Sequence, residues 1–84
     1  MGNLNENPVL EFANRMQLKL SFNKHKGGWK RCGTKYLLKR LKEETKELED
    51  AVASNKGHHE IIAECADIGN FAMMIADVYK IKSV

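Results

Sequence analysis

The chain has 84 residues, 43% hydrophobic and 30% charged, with a single Pro and few aromatics, which is the balance of one small globular domain and excludes a larger multidomain architecture. Its 14 basic and 11 acidic residues leave a formal charge of +3, too mild a bias to mark a nucleic-acid binder. A monomer of this length buries only about 60% of its unfolded surface, so a core of its own is marginal.

Residues 1–7 are polar and contain no apolar stretch, so no signal peptide is evident and the segment is expected to be flexible. A first helix opens at Asn7-Pro8, where Asn caps and Pro takes the first helical position, which needs no N–H. Val9, Phe12, Ala13, Met16 and Leu20 recur by threes and fours and give it one apolar stripe. A basic connection with two glycines follows, Lys24-His25-Lys26-Gly27-Gly28-Trp29-Lys30-Arg31.

The second helix is expected from Thr34, as N-cap, to about Ser54, where Asn55-Lys56-Gly57 stops it. Leu37, Leu38, Leu41, Leu48 and Val52 are its expected buried side. A third helix from His58 to about Tyr79 is apolar nearly all round, so it must be central. In so short a chain, burial on every side calls for a second copy. The expected fold is therefore all-α, a three-helix protomer (residues 1–84 as one domain) that forms a four-helix-bundle core as a homodimer or dimer of dimers.

Glu64, Asp67, Asn70 and Asp77 interrupt the apolar run, which argues against a membrane span. Cys32 and Cys65 lack C-x-x-C spacing and read as reduced thiols, which points to a cytoplasmic protein. Met73 and Met74 read as packing residues. His58 and His59 open the third helix rather than forming Glu-x-x-His on a core face, so a di-iron carboxylate centre is not indicated.

The chemistry lies in carboxylates placed where a packing face should be apolar. Glu44 and Glu47 on the second helix, and Glu64 and Asp67 on the third, are i, i+3 pairs, so each pair projects from one side. Glu44 falls three residues after Leu41 and four before Leu48, on the leucine side. An ionised group buried without compensation costs more than a domain's whole stability margin, so these groups must bind metal, pair with cations or take up protons. Glu43, Glu44 and Glu47 span about 100° of the second helix, and Glu64 and Asp67 about 60° of the third. Antiparallel packing through the short turn lets the two patches face each other. Oxygen ligands alone suit Mg2+, or Mn2+, far better than zinc.

Glu43-Glu44-Thr45-Lys46-Glu47, sixteen residues, then Glu64-Cys65-Ala66-Asp67 resembles the E-E-x-x-E and E-x-x-D signature of the MazG-like all-α nucleoside triphosphate pyrophosphohydrolases. Lys26-Gly27-Gly28-Trp29 and the run Ala66 to Met74 are similar to small stand-alone members, and the likeness extends from Val9 to Tyr79. It implies Mg2+-dependent hydrolysis of a nucleoside triphosphate, often a deoxynucleotide, to the monophosphate and pyrophosphate. By the same resemblance Glu44, Glu47, Glu64 and Asp67 hold the metal, and Glu43 is an outer ligand or orients water. Divalent ions convert an acidic pocket that would repel a polyphosphate into an electrophilic clamp, with Glu43 or Glu47 as general base.

Other readings stand beside these. Glu64 and Asp67 can instead pair with Lys or Arg from the first helix or the connection, and Glu43 and Glu47 can belong with Glu49 and Asp50 to a solvated face paired with Lys39, Lys42 and Lys46, the reading adopted for Glu49 and Asp50. Lys26, Lys30 and Trp29 can meet phosphates and a base, or form a basic loop with Trp29 over the core edge. Asn70 can hydrogen-bond sugar or base, or be satisfied within the bundle; Asp77 is expected exposed at the helix end. At the level of the whole chain the alternatives are a non-catalytic helical module that binds nucleotide or protein, and a small polynucleotide binder using the basic connection. No stable nucleic-acid complex is expected.

Overall fold

The described residues, 7–22 and 28–82 of a computed structural model, form three helices: α1 (Pro8–Phe22), α2 (Thr34–Ala53) and α3 (His58–Lys82). No strand occurs among the described residues. The Asn7 side chain caps α1, its Oδ1 accepting the Leu10 N–H at 3.1 Å while its carbonyl accepts that of Glu11 at 2.9 Å. A cap of this kind stabilises a helix by about 1 kcal/mol.

At α2 the start differs by one residue from expectation. Gly33 is the N-cap, extended at φ −73° and ψ 152°, and Thr34 is already helical with no side-chain cap bond. The stop is as expected and its geometry is specific. Asn55 adopts a left-handed φ of 56°, the Lys56 N–H reaches back to the Ala51 carbonyl at 2.9 Å, and that of Asn55 to Val52 at 3.1 Å. This pair of bonds is the Schellman arrangement, in which Asn substitutes for the usual glycine. The turn reverses the chain within four residues and sends α3 back along α2.

The third helix is the centre. Both α1 and α2 pack against it and make no comparable contact with one another, so the three lie as two helices on one, with a groove between α1 and α2. Leu37, Phe71, Met74 and Val78 form the buried cluster, and Leu20, Trp29 and Leu41 pack on it. Burying a side chain such as Leu37 stabilises by about 1.5–3 kcal/mol. The buried stripe of α2 is Leu37, Glu44 and Ala51, two turns apart each time. Leu38 and Val52, expected inside, are 43% and 58% exposed. They flank the stripe on a side that no helix of this protomer covers.

α1 approaches α3 closely at Gly69, where an added Cβ would lie 2.9 Å from Phe12 Cε2 and 3.1 Å from Met16 Sδ. Glycine at this point costs helix propensity but lets the helices meet. Gly69→Val is expected to push α1 outward and lower stability by about 1–3 kcal/mol, measured by urea denaturation. An unchanged midpoint would show that Phe12 and Met16 yield without cost.

Candidate metal centre

α2 carries Glu44 into the interface because it shares the buried stripe with Leu37 and Ala51, and only 6% of it is exposed. One turn later Glu47 projects from the same side at the solvent edge. From α3, Glu64 meets them half-buried, and carboxylate oxygens of Glu44, Glu47 and Glu64 all lie within 4.8 Å of one another. Opposite ligands of a bound Mg2+ are about 4.2 Å apart, so a small rotation of one glutamate closes the set. Three oxygen donors at this spacing can hold a metal ion.

The electrostatics agree. Burial pushes the Glu44 carboxyl above the ordinary glutamate range; Glu47 and Asp67 push it further, Arg40 opposes them, and Glu64 adds to the rise. Glu64 is raised by its burial first, then by Glu47 and Asp67, against Lys19. Like charges crowded into a dry interface favour a proton or a cation, which is the condition a divalent site needs before it is filled.

Two cations stand beside the trio. Arg40, one turn before Glu44 on α2, donates from Nη1 to Glu43 Oε1 and from Nη2 to Glu44 Oε2 at 3.3 Å, and its guanidinium lies 5.1 Å from the centre of the Phe71 ring. From α1, Lys19 Nζ reaches Asp67 Oδ2 at 3.3 Å. These groups frame a pocket of about 200 Å³ in the groove between α1 and α2, lined by Lys19, Leu20, Arg40 and Glu44 above Asp67, Asn70, Phe71 and Met74 of α3. Asn70 is 4% exposed; its Nδ2 donates to the Met16 carbonyl at 3.0 Å, and its Oδ1 has no partner among the described residues. The bond to Met16 fixes the amide, so the free oxygen is a positioned acceptor.

Glu44, Glu47 and Glu64 are thus brought together as the spacing implied. Asp67 joins the adjoining pocket, where the alternative reading of an ion pair with the first helix is realised through Lys19. Glu43 is exposed and engaged by Arg40. Trp29 lies outside the pocket: it packs against the core cluster and its Nε1 donates to Asp77 Oδ2 at 3.0 Å. That is the core-edge reading, and it also corrects Asp77, which is half-buried rather than exposed. Lys30 is exposed and does not line the pocket, and Lys26 lies outside the described residues. Sequence reasoning missed Arg40 and Lys19. The signal for Arg40 was present, a guanidinium four residues before Glu44 and three after Leu37, on the same side of the helix. For Lys19 the only signal was its place beside Leu20 on the apolar stripe.

Residues 10–83 match the family described as PRA-PH, phosphoribosyl-ATP pyrophosphohydrolase. No curated protein and no solved structure matches the chain. Among the described residues no helix is long and apolar enough to cross a membrane.

The raised carboxyls make stability depend on pH with a definite sign. The folded protein holds these protons more tightly than the unfolded chain, so their contribution is favourable at low pH and is lost as pH rises from about 4.3 through the raised folded values. Without divalent ions, the Glu44→Gln and Glu64→Gln double variant should therefore exceed the parent in stability at neutral pH and lose that advantage below the ordinary glutamate range. Adding Mg2+ or Mn2+ should raise the melting temperature of the parent alone. A variant advantage that stays flat with pH, in calorimetric melts, would contradict this assignment.

Proposed function

We propose that this chain, which belongs to the phosphoribosyl-ATP pyrophosphohydrolase family of enzymes acting on phosphoric anhydride bonds, hydrolyses a nucleoside triphosphate to the monophosphate and pyrophosphate with Mg2+ as cofactor. The family and the MazG-like signature agree on the all-α pyrophosphohydrolase superfamily. The observation that carries the reading is the convergence of Glu44, Glu47 and Glu64 beside a pocket that also holds two cations.

In this mechanism Glu44, Glu47 and Glu64 would hold the ion, with Asp67, now paired with Lys19, as the fourth carboxylate that could join them. Bound Mg2+, for which Mn2+ can substitute, supplies charge neutralisation and polarises the phosphoryl oxygens. Water is the nucleophile: its oxygen joins a phosphorus flanking the anhydride bridge, the bridging P–O bond breaks, and pyrophosphate leaves with the electron pair. Glu47 takes the water's proton. Its carboxylate sits at the solvent edge of the trio, whereas Glu43, the other candidate, is engaged by Arg40 in a charge-assisted bond and lies outside the trio. Asn70 Oδ1 accepts from a hydroxyl or amine of the nucleoside. Lys26 and Lys30 remain candidates for the outer phosphates. Trp29, engaged by Asp77 and the core edge, drops out of the nucleotide contacts.

A second substrate reading comes from the family description, hydrolysis of phosphoribosyl-ATP. It requires the same anhydride chemistry and a pocket that admits the extra sugar phosphate. Pyrophosphate release from a panel of ribo- and deoxynucleoside triphosphates and phosphoribosyl-ATP, with and without Mg2+, separates the readings. Mg2+-dependent release is expected, with Glu64→Gln reducing it roughly 100-fold or more. Binding without turnover of any of these compounds would favour a non-catalytic nucleotide module.

The working unit we propose is a homodimer or dimer of dimers, in the cytoplasm. The protomer exposes 6694 Å², against about 5100 Å² for a compact monomer of this size, and its radius of gyration is 14.4 Å against about 12 Å. Val9, Leu38, Val52 and Tyr79 are each more than two-fifths exposed, on helices that a second copy would cover to build a four-helix core. Sedimentation equilibrium should return at least two chains; a monomer at micromolar concentration would rule the assembly out.

A further inference from the structure

We propose that Arg40 is a phosphate-binding residue held in reserve: Glu43 and Glu44 retain its guanidinium until a metal–polyphosphate complex enters, and it then exchanges the Glu44 carboxylate for a phosphate. The inference rests on reading Glu44, Glu47 and Glu64 as metal ligands and concerns what the cation beside them does.

The contacts of Arg40 are unequal. Glu43 takes Nη1 in an ion pair, and the guanidinium lies over the Phe71 ring at 5.1 Å. By contrast Nη2 meets Glu44 at 3.3 Å, longer than the roughly 2.7–2.9 Å of a good charge-assisted bond. Glu43 and the ring therefore anchor the group, and the contact to Glu44 is the exchangeable one. Arg40 lines the pocket with Lys19, which is held by Asp67 at a similar 3.3 Å. Each pocket cation is thus occupied by a carboxylate of the acidic set.

An ion taken up by Glu44 removes the negative charge that Nη2 faces and puts a divalent charge in its place. With free metal alone this leaves the guanidinium beside a cation, held only by Glu43. With metal and polyphosphate together, the planar fork regains an acceptor, and phosphate oxygens match it in pairs. Arg40 consequently competes with free metal and cooperates with the metal–polyphosphate complex. The site discriminates between them, which is a coupling between two ligands at one residue. Lysine would keep the charge but not the fork or the contact with Phe71.

The test uses calorimetry with two probes, Mn2+ alone and Mg2+ with inorganic tripolyphosphate, on the parent, Arg40→Gln and Arg40→Lys. Arg40→Gln is expected to bind Mn2+ alone at least as tightly as the parent, and the tripolyphosphate complex roughly 10- to 100-fold more weakly, the span of a charge-assisted hydrogen bond. Arg40→Lys should keep the affinity for Mn2+ and fall between the two for tripolyphosphate; where Gln costs the fold, as judged by thermal melts, this variant decides. A parallel loss for both probes would make Arg40 a structural support, and unchanged tripolyphosphate binding would remove it from the phosphate site. Either result overturns the proposal while leaving the metal site standing. If the parent binds neither probe, the metal reading falls and this inference falls with it.

Discussion

A carboxylate inside a helix interface governs this molecule. Glu44 occupies the middle of the stripe through which α2 packs on α3, between Leu37 and Ala51. An apolar residue there would bind the two helices more firmly. Placing a charge in that position lowers stability unless something compensates it, and the surroundings are arranged as the compensation: Arg40 one turn before it, Glu64 and Glu47 close enough to share an ion. The burial that makes Glu44 costly also raises its proton affinity. Stability has been traded for a cluster of three carboxylates that could hold a metal ion.

The position of α3 follows from the same constraint. It packs on both other helices, so Glu64 meets the carboxylates of α2 while Asp67 pairs with Lys19 of α1 and Asn70 reaches the α1 backbone through Met16. Because α1 and α2 do not close on each other, a groove remains whose walls carry cations and whose floor carries Asp67, Phe71 and Met74. The close approach at Gly69 sets how near α1 comes. Helix packing thereby fixes the width of the pocket, and the depth of Asn70 fixes the acceptor at its base.

Charge within the groove is paired rather than uniform. Two carboxylates are held by cations, and Glu47 and Glu64 have no ion-pair partner among the described residues. A purely acidic pocket would repel the polyphosphate on which a pyrophosphohydrolase acts, and a purely basic one would not retain a metal ion. Interleaving the two, as the proposed function requires, offers partners of both signs in one small volume.

Periodicity and punctuation were enough to place the three helices, because an Asn-Pro start, an Asn-Lys-Gly stop and a 3.6-residue repeat are local properties of the chain. The convergence of Glu44, Glu47 and Glu64 was legible for a similar reason: i, i+3 spacing on two helices joined by a tight turn leaves few ways to pack. What the chain did not disclose are the contacts made at long sequence separation. Trp29 is tied to Asp77, forty-eight positions away, and Lys19 to Asp67 on another helix. A wheel also cannot say which edge of a broad apolar stripe turns inward, so Leu38 and Val52 were placed inside although Ala51 took that position. Local spacing dictates which side of a helix a residue occupies; which partner meets that side depends on how the helices cross, and that is a property of the assembled fold.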